Sequence, residues 1–249
     1  MPRTRYCIAN WKMNFNLSDA EEFLAAWKNK DLNNPHIKTI FCPSFTELFA
    51  ISELLGTSSS ELGAQNVFYE SRGAFTGEIS CAMLKETGCQ WVIVGHSERR
   101  TRLGDTDEMI HKKLHQIILE DLCPILCIGE NIDERNSGQT ATVLERQISI
   151  ACKHINKEKL NTMLIAYEPV WAIGTGTTAT SSMVGEAHYD IRNILRTNGI
   201  NADGVSILYG GSVSVDNAES LSNISDVDGF LIGGASLDIE KFYSIYNKL

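Results

Sequence analysis

The chain has 249 residues, of which 43% are hydrophobic and 21% are charged, a balance typical of globular proteins with a large core. Its formal net charge of −9 argues against a general nucleic-acid binder, and an anionic ligand would need a local positive site. Seven cysteines, no signal-peptide pattern and no long apolar stretch predict a cytosolic protein without a disulfide framework or a membrane span.

Short apolar runs rich in β-branched residues alternate with amphipathic segments along the chain. Because the runs are apolar throughout, they predict parallel strands that are buried on both faces. The segment 18–27 predicts a helix in which Ser18 and Glu21 form a capping box. The predicted strands are 6–9, 39–41, 61–66, 91–94, 125–128, 163–166, 205–208 and 229–232, and the other predicted helices are 105–119, 139–154 and 182–195.

This alternation of about eight strand–helix units, without a Gly/Ser-rich linker, predicts a single (β/α)8 barrel domain over residues 1–249. A doubly wound α/β sheet is the alternative. Cys7, Cys42 and Cys127 lie inside the runs and are predicted to be core residues. Barrel enzymes place their active sites at the carboxyl ends of the strands, so polar residues directly after the runs are the candidates for function.

Three such polar residues follow the first, fourth and sixth runs. Lys12 can supply a positive charge to a phosphate or to a developing oxyanion. His96 precedes a possible helical turn, whose N-terminus would lower the pKa of the imidazole and keep it neutral. Glu168 lies between a hydrophobic strand and large apolar residues, as a general base would. Taken singly, they could equally be a surface lysine, a structural histidine and a salt-bridged glutamate.

Two glycine pairs follow the last two runs, at 210–211 and 233–234. Without a Cβ atom, their backbone amides can approach an anion closely at helix starts, and barrels often bind phosphate in these two loops. The pairs therefore predict a phosphate site. After the sixth run, segments 169–171 and 174–176 bracket a short apolar stretch, as the stiff ends of a lid would.

Six segments carry a further signal, and they are 10–14 (NWKMN), 73–80 (GAFTGEIS), 94–100 (VGHSERR), 166–176 (AYEPVWAIGTG), 209–213 (YGGSV) and 228–236 (DGFLIGGAS). In this order along the chain, they resemble the triosephosphate isomerase family. The resemblance implies a (β/α)8 enzyme of glycolysis and gluconeogenesis, an aldose–ketose isomerase. Such an enzyme interconverts glyceraldehyde 3-phosphate and dihydroxyacetone phosphate by proton transfer through an enediol(ate).

The roles of individual residues are implied by this resemblance and not by their spacing. Glu168 would be the catalytic base and neutral His96 the electrophile, a pairing known for the family. Lys12 would stabilise the enediolate-like transition state, Asn10 would help to position the substrate, and Glu98 would be an additional carboxylate near Lys12. No metal or organic cofactor is implied, because these groups cover the charge changes of enolisation. The backbone amides expected to hold the phosphate are those of Gly174, Ser212, Gly233 and Gly234.

The resemblance also implies a cytoplasmic homodimer, in which the loop around Thr76 inserts beside the partner's loop near Asn14. Two other functions stay open. One is a different phosphate-binding barrel isomerase or an aldolase with a Schiff-base lysine, and the other is a non-catalytic binding relative. The second would be expected to lack at least one of Lys12, His96 and Glu168, and all three are present.

The sequence departs from the common family pattern at four positions outside the proposed catalytic side chains. Phe15 replaces a frequent glycine and Cys81 a frequent proline. Thr177 and Ser181 stand in and just beyond the predicted lid, where Lys or Leu and Pro are common. We expect the last two departures to change the kinetics of the lid and to leave the reaction the same.

Overall fold

The structure, a computed structural model, describes residues 3–32, 34–173 and 178–249. Within these ranges eight parallel strands pair in sequence order, and the first strand also pairs with the eighth, which closes the sheet into a barrel. The predicted (β/α)8 fold is therefore confirmed. None of the helices in the described ranges is long and apolar enough to cross a bilayer.

Each strand leads through a loop to one or more helices outside the barrel. The strands are β1 (Arg5–Asn10), β2 (Ile37–Cys42), β3 (Glu61–Ala64), β4 (Trp91–Val94), β5 (Cys123–Ile128), β6 (Leu164–Tyr167), β7 (Ser206–Tyr209) and β8 (Gly229–Ile232). The helices are α1 (Leu17–Lys28), α2 (Leu48–Leu55), α3 (Cys81–Glu86), α4 (Ser97–Arg102), α5 (Asp107–Leu119), α6 (Ile132–Asn136), α7 (Thr140–Ala151), α8 (Ser181–Thr197), α9 (Ala218–Ser222) and α10 (Ile239–Tyr246).

The predicted start of the first helix is wrong by two residues. Asn16, and not Ser18, is the N-cap of α1: its Oδ1 accepts a hydrogen bond from the Asp19 N–H (3.1 Å), and Asp19 Oδ2 accepts one from the Asn16 N–H (3.0 Å). Asparagine caps a helix as well as serine does, so the earlier position adds two residues to the helix at no loss. The Ser18 hydroxyl instead donates to Asn16 Oδ1 (2.7 Å).

The barrel interior is filled by side chains that alternate along the strands with side chains packed against the helices. Cys42 and Cys127 point inward and Cys7 outward, and all three are fully buried, which confirms the prediction that they are core residues. The interior consists of Tyr6, Ile8, Ile40, Cys42, Trp91, Ile93, Ile125, Cys127, Leu164, Ala166, Leu208 and Leu231.

Two of the four family departures are accommodated in the core. The Phe15 ring packs 4.9 Å from the Trp11 ring, measured between centroids, and 5.8 Å from that of Phe23 in α1. Cys81 is fully buried as the first residue of α3. Ser181 begins α8, which Thr180 caps, while Thr177 lies outside the described residues.

At the amino ends of the strands, buried charges tie the last two strands to the first. The Asp228 carboxylate, just before β8, accepts hydrogen bonds from Arg3 Nε (2.7 Å), Arg192 Nη2 (3.1 Å) and the Ile207 N–H (2.9 Å). Arg192 Nη1 also donates to the carbonyl oxygens of Val205 (2.6 Å) and Ala202. These contacts hold the amino ends of β1, β7 and β8 together.

Candidate active site

A cavity of about 440 Å³ opens at the carboxyl ends of the strands. It brings together every predicted site residue that the structure describes, whereas Gly174 and the rest of segment 174–177 lie outside the described residues. Among the described residues, no three His, Cys, Asp or Glu side chains are arranged to hold a metal ion. The polar lining includes Asn10, Lys12, His96, Ser97, Glu98, Glu168, Ser212, Gly233 and Gly234, and the apolar lining includes Val170, Ile173, Val213 and Leu231.

Lys12 places its ammonium group between a carboxylate and the loop after β8. Its Nζ lies 2.6 Å from Glu98 Oε1, in an ion pair whose side chains are 26% and 39% exposed. A Cβ atom on Gly233 would lie 3.2 Å from Lys12 Cε and 3.5 Å from Nζ, so the glycine leaves room for this cation. Although partial burial opposes it, contact with Lys12 holds the pKa of Glu98 below its ordinary value.

Glu168 follows β6 directly and is only 1% exposed. Its Oε2 accepts a hydrogen bond from the Ser97 N–H (2.9 Å). Its Oε1 lies 3.0 Å from His96 Nε2, but the contact lacks hydrogen-bond geometry, since among the described residues Oε1 has no hydrogen-bond partner. One oxygen of this buried carboxylate is therefore held in place while the other keeps its lone pairs available.

His96 caps the N-terminus of α4, as the sequence suggested. Its Nδ1 accepts a hydrogen bond from the Glu98 N–H (3.3 Å). Because a backbone N–H can only donate, Nδ1 must carry a lone pair, and the proton of the neutral ring is on Nε2. The Nε2–H group is therefore on the side of the ring that faces Glu168.

The predicted direction of the His96 pKa shift is wrong for this state of the site. Burial lowers the pKa of His96, but the carboxylate of Glu168 raises it by more, with a smaller contribution from Glu98, so the pKa lies above its ordinary value. The helix N-terminus that motivated the opposite expectation is present. The carboxylate of Glu168, 3.0 Å from the ring, raises the pKa of His96 instead.

Gly129, which the sequence analysis did not single out, makes room for the backbone of Glu168. A Cβ atom at Gly129 would lie 1.7 Å from the Glu168 carbonyl oxygen, so no larger residue fits without displacing that segment. Gln147 in α7 braces Gly129 through hydrogen bonds to its N–H (2.8 Å) and its carbonyl oxygen (3.1 Å). Its place in the sequence could have indicated this role, because Gly129 follows β5 directly, just as Gly95, Gly210 and Gly233 follow their strands.

Glu130, also not predicted, holds the residues on both sides of Glu168. Its fully buried carboxylate accepts hydrogen bonds from the Tyr167 hydroxyl (3.0 and 3.1 Å) and from Trp171 Nε1 (3.1 Å). Arg135 Nη1 lies 3.6 Å from the same carboxylate. No local pattern in the sequence indicates this contact, because the partners lie on different strand–helix units.

The two glycine-rich loops border the cavity, but only one of them begins a helical turn at once. Gly233 is followed by a short 3₁₀ turn over Gly234–Leu237. The loop with Ser212 continues to α9, which begins at Ala218, so the expectation of a helix start there is wrong. Asn217 shapes this loop instead, since its side chain donates to the Ser212 carbonyl (2.9 Å) and accepts from the Ser214 N–H (2.8 Å).

Comparison with known proteins agrees with this geometry. The family model described as triosephosphate isomerase matches residues 5–249. The triosephosphate isomerase of Endomicrobium trichonymphae is 45% identical over 242 residues, which cover 96% of this chain and 97% of that protein. The triosephosphate isomerase of Aquifex aeolicus is 46% identical over 243 residues, with 97% and 98% covered. The chain therefore belongs to the triosephosphate isomerase family.

Proposed function

We propose that this chain interconverts glyceraldehyde 3-phosphate and dihydroxyacetone phosphate by moving a proton between adjacent carbons through an enediol(ate). The observation that carries the proposal is the convergence of Lys12, His96 and Glu168 on one cavity. These groups come from β/α units that are distant in sequence, and together they provide a base, a hydrogen-bond donor and a cation, as enolisation requires.

We assign the role of base to Glu168. Its Oε1 is buried without a hydrogen-bond partner among the described residues, while Oε2 is held by Ser97. A proton taken from the substrate carbon by Oε1 can be returned to the neighbouring carbon by the same oxygen. The apolar side chains of Val170, Ile173 and Leu231 line the same cavity and limit the access of water to the carboxylate.

His96 serves as the electrophile. With Nδ1 accepting from a backbone N–H, its Nε2–H can donate to the substrate carbonyl and then exchange protons between the two substrate oxygens. A substrate that contacts both residues must enter between His96 and Glu168. The charge that raises the pKa of His96 is then no longer in direct contact with the ring, whereas burial continues to lower that pKa. A neutral imidazole is the form that this role needs.

Lys12, Asn10 and the two loops hold the anionic parts of the substrate. The Lys12 ammonium lies next to Gly233 and can contact both the phosphate and the developing enediolate. The backbone amides of Gly233, Gly234 and Ser212 line the cavity and would bind the phosphate oxygens. Glu98 keeps the ammonium oriented. Because Lys12 is ion-paired, it is poorly suited to the Schiff-base chemistry of an aldolase, which needs a neutral amine.

A coupled assay with glyceraldehyde 3-phosphate tests this proposal. We expect the parent protein to form dihydroxyacetone phosphate, and Glu168→Gln to lower kcat by at least about a hundredfold, since general-base catalysis contributes roughly 10²–10⁴-fold. Glu168→Asp should fall in between. Glu219→Gln, at an exposed glutamate of α9, is the matched control and should keep the parent rate. A parent protein without isomerase activity, or a Glu168→Gln variant as fast as the parent, would refute the proposal.

We also propose a homodimer that forms through the loop around Thr76. Residues 71–78 are all exposed. Because β1, β2 and β3 are neighbours in the barrel, the exposed apolar side chains of their loops and helices lie on one side of the molecule. Such a cluster is typical of a protein–protein interface. These side chains are Met13, Phe45, Phe49, Phe75 and Met83.

Sedimentation of the purified chain tests the dimer. Phe75→Asp should shift it to the monomer and lower its isomerase activity, because a charge would be buried in the interface. Tyr189→Asp introduces the same charge at an exposed aromatic residue of α8 and should leave the dimer intact. A fully active monomeric parent would contradict the proposal. The cytosolic location stays a prediction, which cell fractionation can check.

A further inference from the structure

The backbone of Lys12 adopts a conformation that its own side chain disfavours. Its φ angle is +54°, in the left-handed region, where the Cβ atom of an L-residue crowds the neighbouring carbonyl. Among the described residues, only two others besides glycine have positive φ, and neither lines the cavity. The surrounding contacts must therefore hold Lys12 in place.

Hydrogen bonds hold the peptide groups on both sides of Lys12. Its N–H donates to Asn10 Oδ1 (3.1 Å), and its carbonyl oxygen accepts from Gln65 Nε2 (2.7 Å). The same nitrogen of Gln65 donates its second hydrogen to the carbonyl oxygen of Cys42 (3.0 Å). Gln65 thus connects the loop after β1 with the end of β2, from a position directly after β3.

An amide at position 65 suits the chemistry of these contacts. Both partners are carbonyl oxygens, which only accept, and a primary amide supplies two hydrogens from one nitrogen without adding a charge. A methionine of similar length has no donor, and an ionised glutamate would place a negative charge against two oxygens.

From this geometry we infer that Gln65 is a positioning residue for Lys12: it holds the left-handed backbone that directs the ammonium between Glu98 and Gly233. The inference rests on the proposed function, because the position of this cation matters only if it acts on an anionic substrate. Gln65 itself need not touch the substrate. Its effect passes through the Lys12 carbonyl oxygen.

Kinetics of Gln65→Met test the inference. We expect kcat/KM to fall by about a hundredfold, as for a displacement of about 1 Å in a catalytic group. The inhibition constant of inorganic phosphate should rise, since Lys12 contacts the same anion. A crystal structure of the variant should show Lys12 out of the left-handed region. Gln90→Met, at an exposed glutamine just before β4, is the matched control and should behave like the parent.

A second variant separates positioning from general damage to the fold. In Gln65→Glu, a protonated carboxyl can donate one hydrogen bond while the ionised form can donate none. The ratio of variant to parent kcat/KM should therefore rise reversibly as the pH is lowered from 8 to 5. An irreversibly misfolded protein would not regain activity in this way, and sedimentation at each pH shows whether the proposed dimer dissociates. With the dimer intact, this ratio decides the question even if Gln65→Met folds poorly.

The outcomes distinguish the two proposals. An inactive parent protein would refute the proposed function. An active parent whose Gln65→Met variant keeps the kcat/KM and phosphate inhibition of the parent would refute the role of Gln65 and leave the proposed function standing. A Gln65→Glu ratio that does not change with pH would refute it as well.

Discussion

Both ends of the barrel carry acidic and basic side chains, but the two ends differ in how completely these side chains are hydrogen-bonded. At the amino ends of the strands, the Asp228 carboxylate accepts three hydrogen bonds, from Arg3, Arg192 and the Ile207 N–H. At the carboxyl ends, Glu168 accepts one, from the Ser97 N–H, and its Oε1 has none among the described residues. Buried polar atoms are nearly always paired in proteins, and this unpaired oxygen belongs to a residue that lines the cavity.

The basic side chains at the two ends, Arg192 and Lys12, differ in the same way. Arg192 is 2% exposed and donates to two carboxylates and two backbone carbonyls. Lys12 is partly exposed, has a disfavoured backbone conformation and pairs with the half-exposed Glu98. The comparison teaches that one end of the barrel is arranged for stability and the other for binding. Substitutions at the two ends should therefore affect different measurements.

The largest effect on stability is expected at the amino end. Asp228→Asn removes one of the two carboxylates that face the buried Arg192, and breaking a buried pair costs up to about 3–5 kcal/mol in the free energy of unfolding. Urea denaturation at fixed protein concentration measures this loss. The folded fraction should keep the parent KM. Asp203→Asn, which changes an exposed partner of Arg196, is the control, and equal losses for the two variants would contradict the comparison.

The largest effect on activity is expected at the carboxyl end. Lys12→Met should lower kcat/KM by about 10²–10³-fold, or roughly 3–4 kcal/mol, because it removes a charge aimed at the developing oxyanion. The free energy of unfolding should change by less than about 1 kcal/mol, since the lost ion pair is partly exposed. Steady-state kinetics and urea denaturation of the same preparation test both statements. A large loss of stability would show that this end also holds the fold.

A pH effect is expected from His188, which lies in α8 with its Nδ1 2.9 Å from the Asp226 carbonyl oxygen. Burial lowers its pKa from 6.5 to about 4, so between these values the unfolded chain binds the proton more tightly than the folded protein does. Stability should therefore fall as the pH is lowered through this window, by about 3 kcal/mol.

Urea denaturation between pH 7 and pH 4 measures this slope, and comparison with His188→Gln isolates it. The variant lacks the titrating group, so its stability should fall less steeply over the same range. Parallel curves for the parent and the variant would show that His188 does not contribute. At pH 7, the isomerase kinetics of His188→Gln should be close to those of the parent, because His188 does not line the cavity.

The smallest effect is expected for Lys38, which also lies at the amino end. Its Nζ is 3.0 Å from Glu61 Oε1, but the two side chains are 45% and 25% exposed. Lys38→Ala should change the free energy of unfolding by less than about 1 kcal/mol. Thermal or urea unfolding checks this. An effect as large as that of Asp228→Asn would mean that location at the amino end, and not burial, determines how much an ion pair contributes to the free energy of unfolding.

Much of the fold and the centre of the site could be predicted from the sequence for a simple reason. Parallel strands buried on both faces appear as continuous apolar runs, and a closed barrel brings the residues that follow them to one rim. The sequence predicts Lys12, His96 and Glu168 in this way. The resemblance to a known family then supplied their expected roles.

The contacts that support these residues could not be predicted, because they join units that are far apart in sequence. Gln65, directly after β3, donates to the carbonyl oxygen of Lys12, and Gly129, directly after β5, makes room for Glu168. The pKa of His96 depends on a 3.0 Å distance to Glu168 that no local pattern specifies. Lys113 is similar: it follows the exposed Lys112 on α5, but it is buried and pairs with Asp105 (2.6 Å).

The closure of the barrel between β1 and β8 has a consequence for the folding of the chain. Trp11 Nε1 donates to the carbonyl oxygen of Ser236, 225 positions along the chain, and the loop after β8 borders the Lys12 side chain. During synthesis on the ribosome, this contact cannot form until the last strand has emerged. Such distant contacts slow folding because a long loop must close first. A nascent or refolding chain should therefore acquire secondary structure well before it acquires turnover.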